Sequence, residues 1–429
     1  MTADSEGYQE ALRWLYKLQR FGVKLGLDNM SELLVHLGNP HEKFKSVHVA
    51  GTNGKGSVCT FLSSVLKEAG YRVGMYTSPH VLRYSERMQI NGEEIPKERV
   101  LDYISKIRPI AEKMGAESET KHPTFFEFTT AMGFSYFTDE NVDIAVVEVG
   151  MGGRLDATNL ITPEVAVITH LALEHTEHLG KTLERIAKEK AGIIKPGVPV
   201  VSAEENPVIR KAAEERGCEF TIVEDDYPYK RIAFDASGQR FWISDPSKEF
   251  ETSLLGSYQL QNAATAYAVL DVLRNAGYAI PEDAIRRGFS KAQWPARLEV
   301  VRQKPTVIID SSHNPDGMEK LRDALLETMR NDHITFVVGV MSDKDISLML
   351  EAIAPVAGKI ICTRPDYWRA MEPEEIELEA KKLAGDVEVT ATVPEAIERA
   401  FSLSNENNVI CITGSIFTAG DATQYLKES

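Results

Sequence analysis

Short apolar runs of strand length alternate with stretches of helical period over most of the 429 residues. Strand-type runs fall at 46–51, 72–77, 142–149, 164–171 and 198–202. Helical patterns lie between and after them, one running to Ala69 and others beginning at Phe126, Lys181 and Pro207. Strands fed by helices in this order pack as a mainly parallel sheet, with ligands bound at the carboxyl ends of the strands. Residues 230–235 and 239–244 flank Ala236-Ser237-Gly238 and read as a β-hairpin, followed by a helix from Tyr258 to about Ala276. A second series then begins, with strands at 306–309, 334–340, 359–363, 387–392 and 409–413, each separated by a helix. Trp294-Pro295-Ala296-Arg297 closes the intervening helical stretch, and because proline cannot extend a helix the domain boundary is placed near Pro295. The predicted fold class is α/β: an N-terminal P-loop-type domain on a mainly parallel sheet, residues 1–295, plus a smaller Rossmann-like C-terminal α/β domain, residues 296–429.

Composition adds exclusions. A chain 43% hydrophobic and 26% charged is ordinary for a globular protein with two or three cored domains. The longest apolar runs are strand-length and broken by charge, and the first residues, MTADSEGYQEALRW, lack the basic, apolar, then small-residue order of a signal peptide. The protein is therefore expected to be cytoplasmic, and it is expected to be monomeric. A formal charge of −16 argues against nucleic acid or an anionic membrane as partner, so an anionic substrate must be met by local basic groups and metal ions. Cys59, Cys218, Cys362 and Cys411 lie far apart with no C-x-x-C pair, as buried, reduced thiols do.

The most specific local signal is Gly51-Thr52-Asn53-Gly54-Lys55-Gly56-Ser57, which follows an apolar run and opens a helical pattern through Val58, Leu62, Val65 and Leu66. Glycines let successive N–H groups curl around one anion at a helix N-terminus, Lys55 adds charge, and Ser57 offers a hydroxyl to phosphate or Mg2+. In G-x-x-x-x-G-K-[ST] the lysine follows the second spaced glycine, whereas here Lys55 lies between Gly54 and Gly56.

Other candidates lie at neighbouring strand ends. Glu148 interrupts an almost wholly apolar strand, where a carboxylate needs a cation, either a metal ion or a base such as Arg154. Ser78 and His175 follow the runs ending at Thr77 and Leu171. In the helix from Lys181 the apolar stripe Leu183, Ile186, Ala187 and Ile194 includes Lys190. An inward lysine either snorkels or pairs with Glu148, or is desolvated into a neutral amine that reacts with CO2 to give a carbamate ligand for Mg2+. Asn262 opens an alanine-rich helix, either as an adenine reader or as a tolerated first-turn residue. Arg297 and Asp310 are a base and an acid presented by the second domain, and Asp310-Ser311-Ser312-His313-Asn314-Pro315 has the form of a polar strand-end loop.

Together GTNGKGS, Ser78-Pro79-His80 with Arg83 and Glu86-Arg87, Thr124-Phe125-Phe126-Glu127, the segment from Glu148 to Asn159, Glu189-Lys190-Ala191-Gly192-Ile193 and His313-Asn314-Pro315 resemble folylpolyglutamate synthase and dihydrofolate synthase, within the Mur ligase superfamily. The resemblance covers nearly the whole chain. It implies an ATP-dependent ligation of L-glutamate in which ATP phosphorylates a carboxylate, the glutamate amine attacks the acyl phosphate, and ADP and phosphate are released. It implies phosphate binding by Thr52, Asn53, Gly54, Lys55, Gly56 and Ser57, and Mg2+ at two sites through Ser78, Glu148, His175 and a carbamylated Lys190. ATP contacts fall to Asn262, Arg297 and Asp310, a catalytic place to His313 beside Lys55, Glu148, His175 and Lys190, and domain closure completes the site. The reduced folate or dihydropteroate is expected against Lys24, Leu25, Gly26, Leu27, Thr124, Phe125, Phe126, Glu127, Leu155, Asp156 and Ala157. Phe125 and Phe126 can also be read as the start of a buried helix running through Met132 and Phe134. Tyr258 and Ser311-Ser312 depart from the family's usual histidine and Gly-Ala-like pair. Two rival readings remain, a cell-wall Mur ligase and a nucleotide-dependent switch.

Overall fold

In the computed structural model, residues 3–22, 24, 26–329 and 334–428 are described. The chain forms two compact units. The first comprises Met1–Pro79, Tyr84–Pro228 and Asn262–Phe289, and the second His80–Arg83, Tyr229–Gln261 and Ser290–Ser429.

The first unit is built on eight strands: β1 (Lys45–Ala50), β2 (Val73–Tyr76), β3 (Met88–Ile90), β4 (Glu93–Glu94), β5 (Ile144–Glu148), β6 (Val165–Ile168), β7 (Val200–Ser202) and β8 (Phe220–Ile222). Their order is β4-β3-β2-β5-β1-β6-β7-β8. β2, β5, β1, β6, β7 and β8 are parallel, and β3 and β4 add antiparallel edges. β1 and β5 are central, and β1 is buried from Ser46 onward; β5, buried throughout, reads as a nearly continuous apolar run up to Glu148. The helices Ala3–Lys17, Asp28–His36, Lys97–Glu117 and Phe125–Asp139 share one core that includes Leu15, Leu33, Ile104 and Phe128. A smaller core of Ile168, Ala187, Ile193, Val200 and Ile209 surrounds β6 and β7.

The second unit holds the predicted hairpin as β9 (Tyr229–Asp235) and β10 (Gly238–Ile243), extended to an antiparallel three-stranded sheet by β11 (Glu249–Thr252). Its main sheet contains β12 (Glu299–Gln303), β13 (Thr306–Ile309), β14 (Ile334–Val338), β15 (Ala357–Cys362), β16 (Val387–Val389) and β17 (Val409–Thr413), in the order β12-β13-β17-β14-β15-β16. β12 is the antiparallel member. Cys59, Cys362 and Cys411 are buried, Cys218 is half-buried, and all four are free thiols. Among the described residues no helix is long and apolar enough to cross a membrane.

Candidate active site

β1 ends at Ala50, and the chain turns through four residues before the helix Lys55–Glu68 begins. Two glycines are demanded by contact and by backbone. Gly51 has φ +152°, and a Cβ there would lie 1.8 Å from Thr169 Oγ1; Gly54 caps the helix at φ +92°, where a Cβ would lie 2.3 Å from Asn262 Oδ1. The segment after β6 holds the loop in shape. Thr52 N–H donates to His170 O (2.8 Å), Thr52 Oγ1 bonds both Ala172 O (3.0 Å) and Ala172 N–H (3.1 Å), and Thr169 Oγ1–H donates to Asn53 O (2.8 Å). Lys55 Nζ–H donates to Thr52 O at 2.8 Å, folding the cation back over the loop. Gly56 and Ser57 are buried in the first helical turn. The result is a rigid, glycine-permitted curl at the positive end of a 14-residue helix, the arrangement that favours a phosphate.

Because β2, β5, β1 and β6 are adjacent, their ends bring the other candidates to this edge. Glu148 is the last residue of β5, in register with Val49, and one carboxylate oxygen accepts from Ser78 N–H at 2.9 Å. Arg154, the alternative partner proposed for Glu148, forms its ion pair with Glu189 at 3.0 Å. His175 enters the short helix Thr176–Leu179 with left-handed backbone, φ 49°. Lys190 ends the helix Leu183–Lys190 and is buried, and its Nζ–H donates to Gly51 O at 2.5 Å. Burial, and then the charge of Lys55, lower its pKa to about 7, against the opposing pull of Glu174 and Asp156. Two other members of the predicted stripe behave differently. Leu183 is 48% exposed because it stands in the first turn after the Thr182 cap, and Ile194 is buried but lies past the 3-10 turn Ala191–Ile193. Glu174, buried and close enough for its charge to act on Lys190, belongs to this cluster, and no sequence pattern distinguishes it from the neighbouring His175.

Among the described residues no three His, Cys, Asp or Glu side chains gather as a metal cluster. The donor chemistry nevertheless fits Mg2+, which is commonly held by one or two carboxylates while substrate phosphates and waters complete its shell. Glu148 with the adjoining Ser78 supplies hard oxygen ligands of that kind.

The candidate pterin-side residues form a second cluster in the first unit. Lys24 Nζ donates to the carbonyls of Glu119 (3.2 Å), Thr120 (2.9 Å) and His122 (2.8 Å), fixing the turn that leads to Thr124. Leu25 lies outside the described residues. Gly26 has φ +155°, and Leu27 caps the helix Asp28–His36. Thr124 and Glu127 form a reciprocal capping box: Thr124 N–H donates to Glu127 Oε2 (2.7 Å), and Glu127 N–H to Thr124 Oγ1 (3.2 Å). These bonds already give the Glu127 carboxylate a structural task, and burial raises its pKa. Phe125 is half-buried, stacked on Tyr16 at 5.7 Å, with the Arg87 guanidinium 5.3 Å from its ring centre. Phe126 is half-buried beneath Gly150, where a Cβ would meet its ring at 2.4 Å. Asp156 Oδ1 accepts from Thr158 N–H (3.0 Å) and Oγ1–H (2.6 Å), and Oδ2 from Met151 N–H (2.9 Å), so the carboxylate shapes the loop carrying Leu155 and Ala157.

In the second unit Arg297 stands between two non-glycine residues in left-handed backbone, Ala296 (φ 57°) and Leu298 (φ 47°). Asp310 holds that conformation, with Oδ2 accepting from Leu298 N–H (2.9 Å) and Oδ1 from Ser312 N–H (2.8 Å). Ser311 donates to Ala296 O through both N–H and Oγ–H, each at 2.9 Å. The serine pair is thus part of the scaffold that presents Arg297. Tyr258 is within electrostatic reach of Asp310 and Arg297, and burial, then the Asp310 charge, drive its pKa far up. His313 Nδ1 lies 2.9 Å from Ser311 O, and Asn314 Oδ1 accepts from Gly317 N–H (2.8 Å) in the first turn of the helix Pro315–Met329. Left-handed backbone at non-glycine residues costs about 1–2 kcal/mol each, and such strain gathers at working sites.

Two Mur ligase models match the chain, the Mur ligase middle domain over residues 49–270 and the Mur ligase glutamate ligase domain over 296–416. Fold, phosphate loop and matches define an ATP-dependent acid–amino-acid ligase. The chain is 36% identical to a dihydrofolate synthase/folylpolyglutamate synthase of Bacillus subtilis, over 98% of this chain and 99% of that one. It superposes with a TM-score of 0.91 and 32% identity on folylpolyglutamate synthase of Mycobacterium tuberculosis complexed with ADP and AMPPCP, covering 99% of each chain. It is similar too to E. coli FolC in complex with DHPP and ADP, with a TM-score of 0.86, 30% identity and coverage of 97% and 98%. The chain belongs to the dihydrofolate synthase/folylpolyglutamate synthase family.

Proposed function

We propose that the protein joins L-glutamate to dihydropteroate and to reduced folates that already carry glutamate. The observation that carries this reading is the shared sheet edge. The phosphate loop leaves β1, and Glu148 and the 150–160 segment leave β5 beside it, so ATP phosphates and a pteridine-borne carboxylate are offered neighbouring strand ends. In the reaction, a substrate carboxylate oxygen attacks the terminal phosphorus and ADP departs. The glutamate amine then attacks the acyl carbon, phosphate leaves with the former carboxylate oxygen, and the nitrogen gives up a proton.

Thr52 to Ser57 bind the phosphates, and Lys55 exchanges the Thr52 carbonyl for a phosphate oxygen. Arg297, in the loop that Asp310 fixes, and Asn262 serve as further ATP contacts, and His313 is assigned to the reacting groups. Ser78 and Glu148 would hold one Mg2+, and His175 with Lys190 a second, neutralising phosphate charge when bound. For Lys190 that role requires the carbamate, formed when its neutral amine attacks CO2 and loses a proton. The buried site and lowered pKa favour that neutral amine. Leu155, Ala157 and Phe125 line the pteridine side, on the scaffold made by Asp156 and the Thr124–Glu127 box.

Purified protein offered dihydropteroate, tetrahydrofolate or a UDP-muramoyl substrate, each with ATP, Mg2+ and L-glutamate, tests the assignment. Turnover of the first two, dependent on glutamate, is expected. Turnover of the UDP-muramoyl substrate would support the cell-wall ligase, and ATP hydrolysis without any acceptor would support the switch.

A further inference from the structure

His48 lies in the middle of β1, fully buried, in register with Val147 of β5 and Ala166 of β6. Its Nε2 is 2.8 Å from Thr158 Oγ1. Thr158 Oγ1–H is committed to Asp156 Oδ1 at 2.6 Å, so the contact with His48 needs a proton on Nε2. The bonds run in one direction, from the imidazole N–H through the threonine hydroxyl to the carboxylate. Nδ1 is buried with no hydrogen-bond partner. An aliphatic side chain would fill this strand position without leaving an acceptor unpaired, so stability alone does not account for the imidazole. Burial, then the charge of Lys195, push its pKa down to about 3, which keeps the ring neutral. It works as a fixed donor and takes no part in acid–base exchange.

We propose that His48 is a positioning residue for the pteridine side of the site: acting through Thr158, it fixes the Asp156 carboxylate and ties the 150–160 loop to the strand that carries the phosphate loop. Asp156 in turn holds the backbone of Met151 and Thr158 on either side of Leu155 and Ala157. The inference rests on the reading above that this loop meets the pteridine. A change at His48 is therefore felt in pteridine binding and not in ATP binding, although His48 belongs to the strand that precedes the ATP loop.

Two measurements on the whole chain test this. Nitrogen-15 NMR of the ligand-free protein should show His48 as the neutral Nε2–H tautomer, and an Nδ1–H tautomer or a charged ring would overturn the proposal. In steady-state kinetics His48→Leu and Thr158→Val should each raise KM for the pteridine substrate about tenfold and shift KM for ATP by less than about twofold. The double variant should be no worse than either single one, and His48→Gln, whose amide nitrogen replaces Nε2 as donor, should recover to within about threefold of the wild type. An unchanged pteridine KM in Thr158→Val, or equal losses in both KM values together with a lower Tm, would reduce the chain to a structural contact and refute it. If wild-type protein turns over no pteridine substrate, the functional reading fails while the tautomer is still decided on its own.

Discussion

At the scale of single residues, Lys190 carries the sharpest chemistry. Its ammonium form must lose solvent and face Lys55, and so the proton leaves near pH 7. Carbamylation needs the free amine, so carbamate occupancy, read by carbon-13 NMR with labelled bicarbonate, should rise between about pH 6 and about pH 8. Lys190→Ala should lose most activity and regain part of it with short carboxylic acids. A plain ammonium in fully active enzyme would contradict the assignment. The linkage to folding has a definite sign. The unfolded lysine keeps its proton to about pH 10.4, so below the folded pKa the penalty for burying a charge is complete. In uncarbamylated protein that penalty is relieved as pH rises from about 7 toward the unfolded value. Lys190 was legible because a seven-residue step from Leu183 puts it on an apolar face. Glu174 was not, because its closeness to Lys190 is set by the fold and not by a sequence period, and the His48–Thr158–Asp156 chain was not, because His48 and Thr158 stand 110 residues apart in sequence.

At the scale of elements, the central strands announced themselves as apolar runs, whereas β3, β4, β8, β11 and β12 are only two to five residues long and carry too few positions to show a period. The Thr124–Glu127 capping box is written in the sequence as T-x-x-E before an apolar run, the same two residues that the family resemblance points toward the pterin. Their bonds show that this motif starts the helix Phe125–Asp139 and aims Phe125. Thr124→Ala should therefore lower unfolding stability by about 1 kcal/mol, measured in denaturant. Phe125→Ala, which also removes ring contacts with Tyr16 and Tyr84, should depress turnover of dihydropteroate more than that of tetrahydrofolate. Equal losses on both substrates would deny a distinct pocket for the shorter one.

At the scale of the whole molecule, alternation of strands and helices exposed an α/β chain, but strand order was hidden, since nothing in the sequence says that β5 enters between β2 and β1. Nor did local pattern show that Tyr229–Gln261 joins the compact unit of the C-terminal sheet. Both follow from which apolar faces cover one another. The net charge of −16 makes the local cations decisive, for a carboxylate and ATP must meet on an acidic protein. That requirement leads to the central claim, that ATP is spent on activating a carboxylate. The direct test is turnover with a pteridine substrate labelled with oxygen-18 in its carboxylate, in the presence of ATP, Mg2+ and L-glutamate. ADP and one labelled phosphate are expected per amide bond formed, whereas AMP with pyrophosphate, or unlabelled phosphate released without glutamate, would contradict that claim.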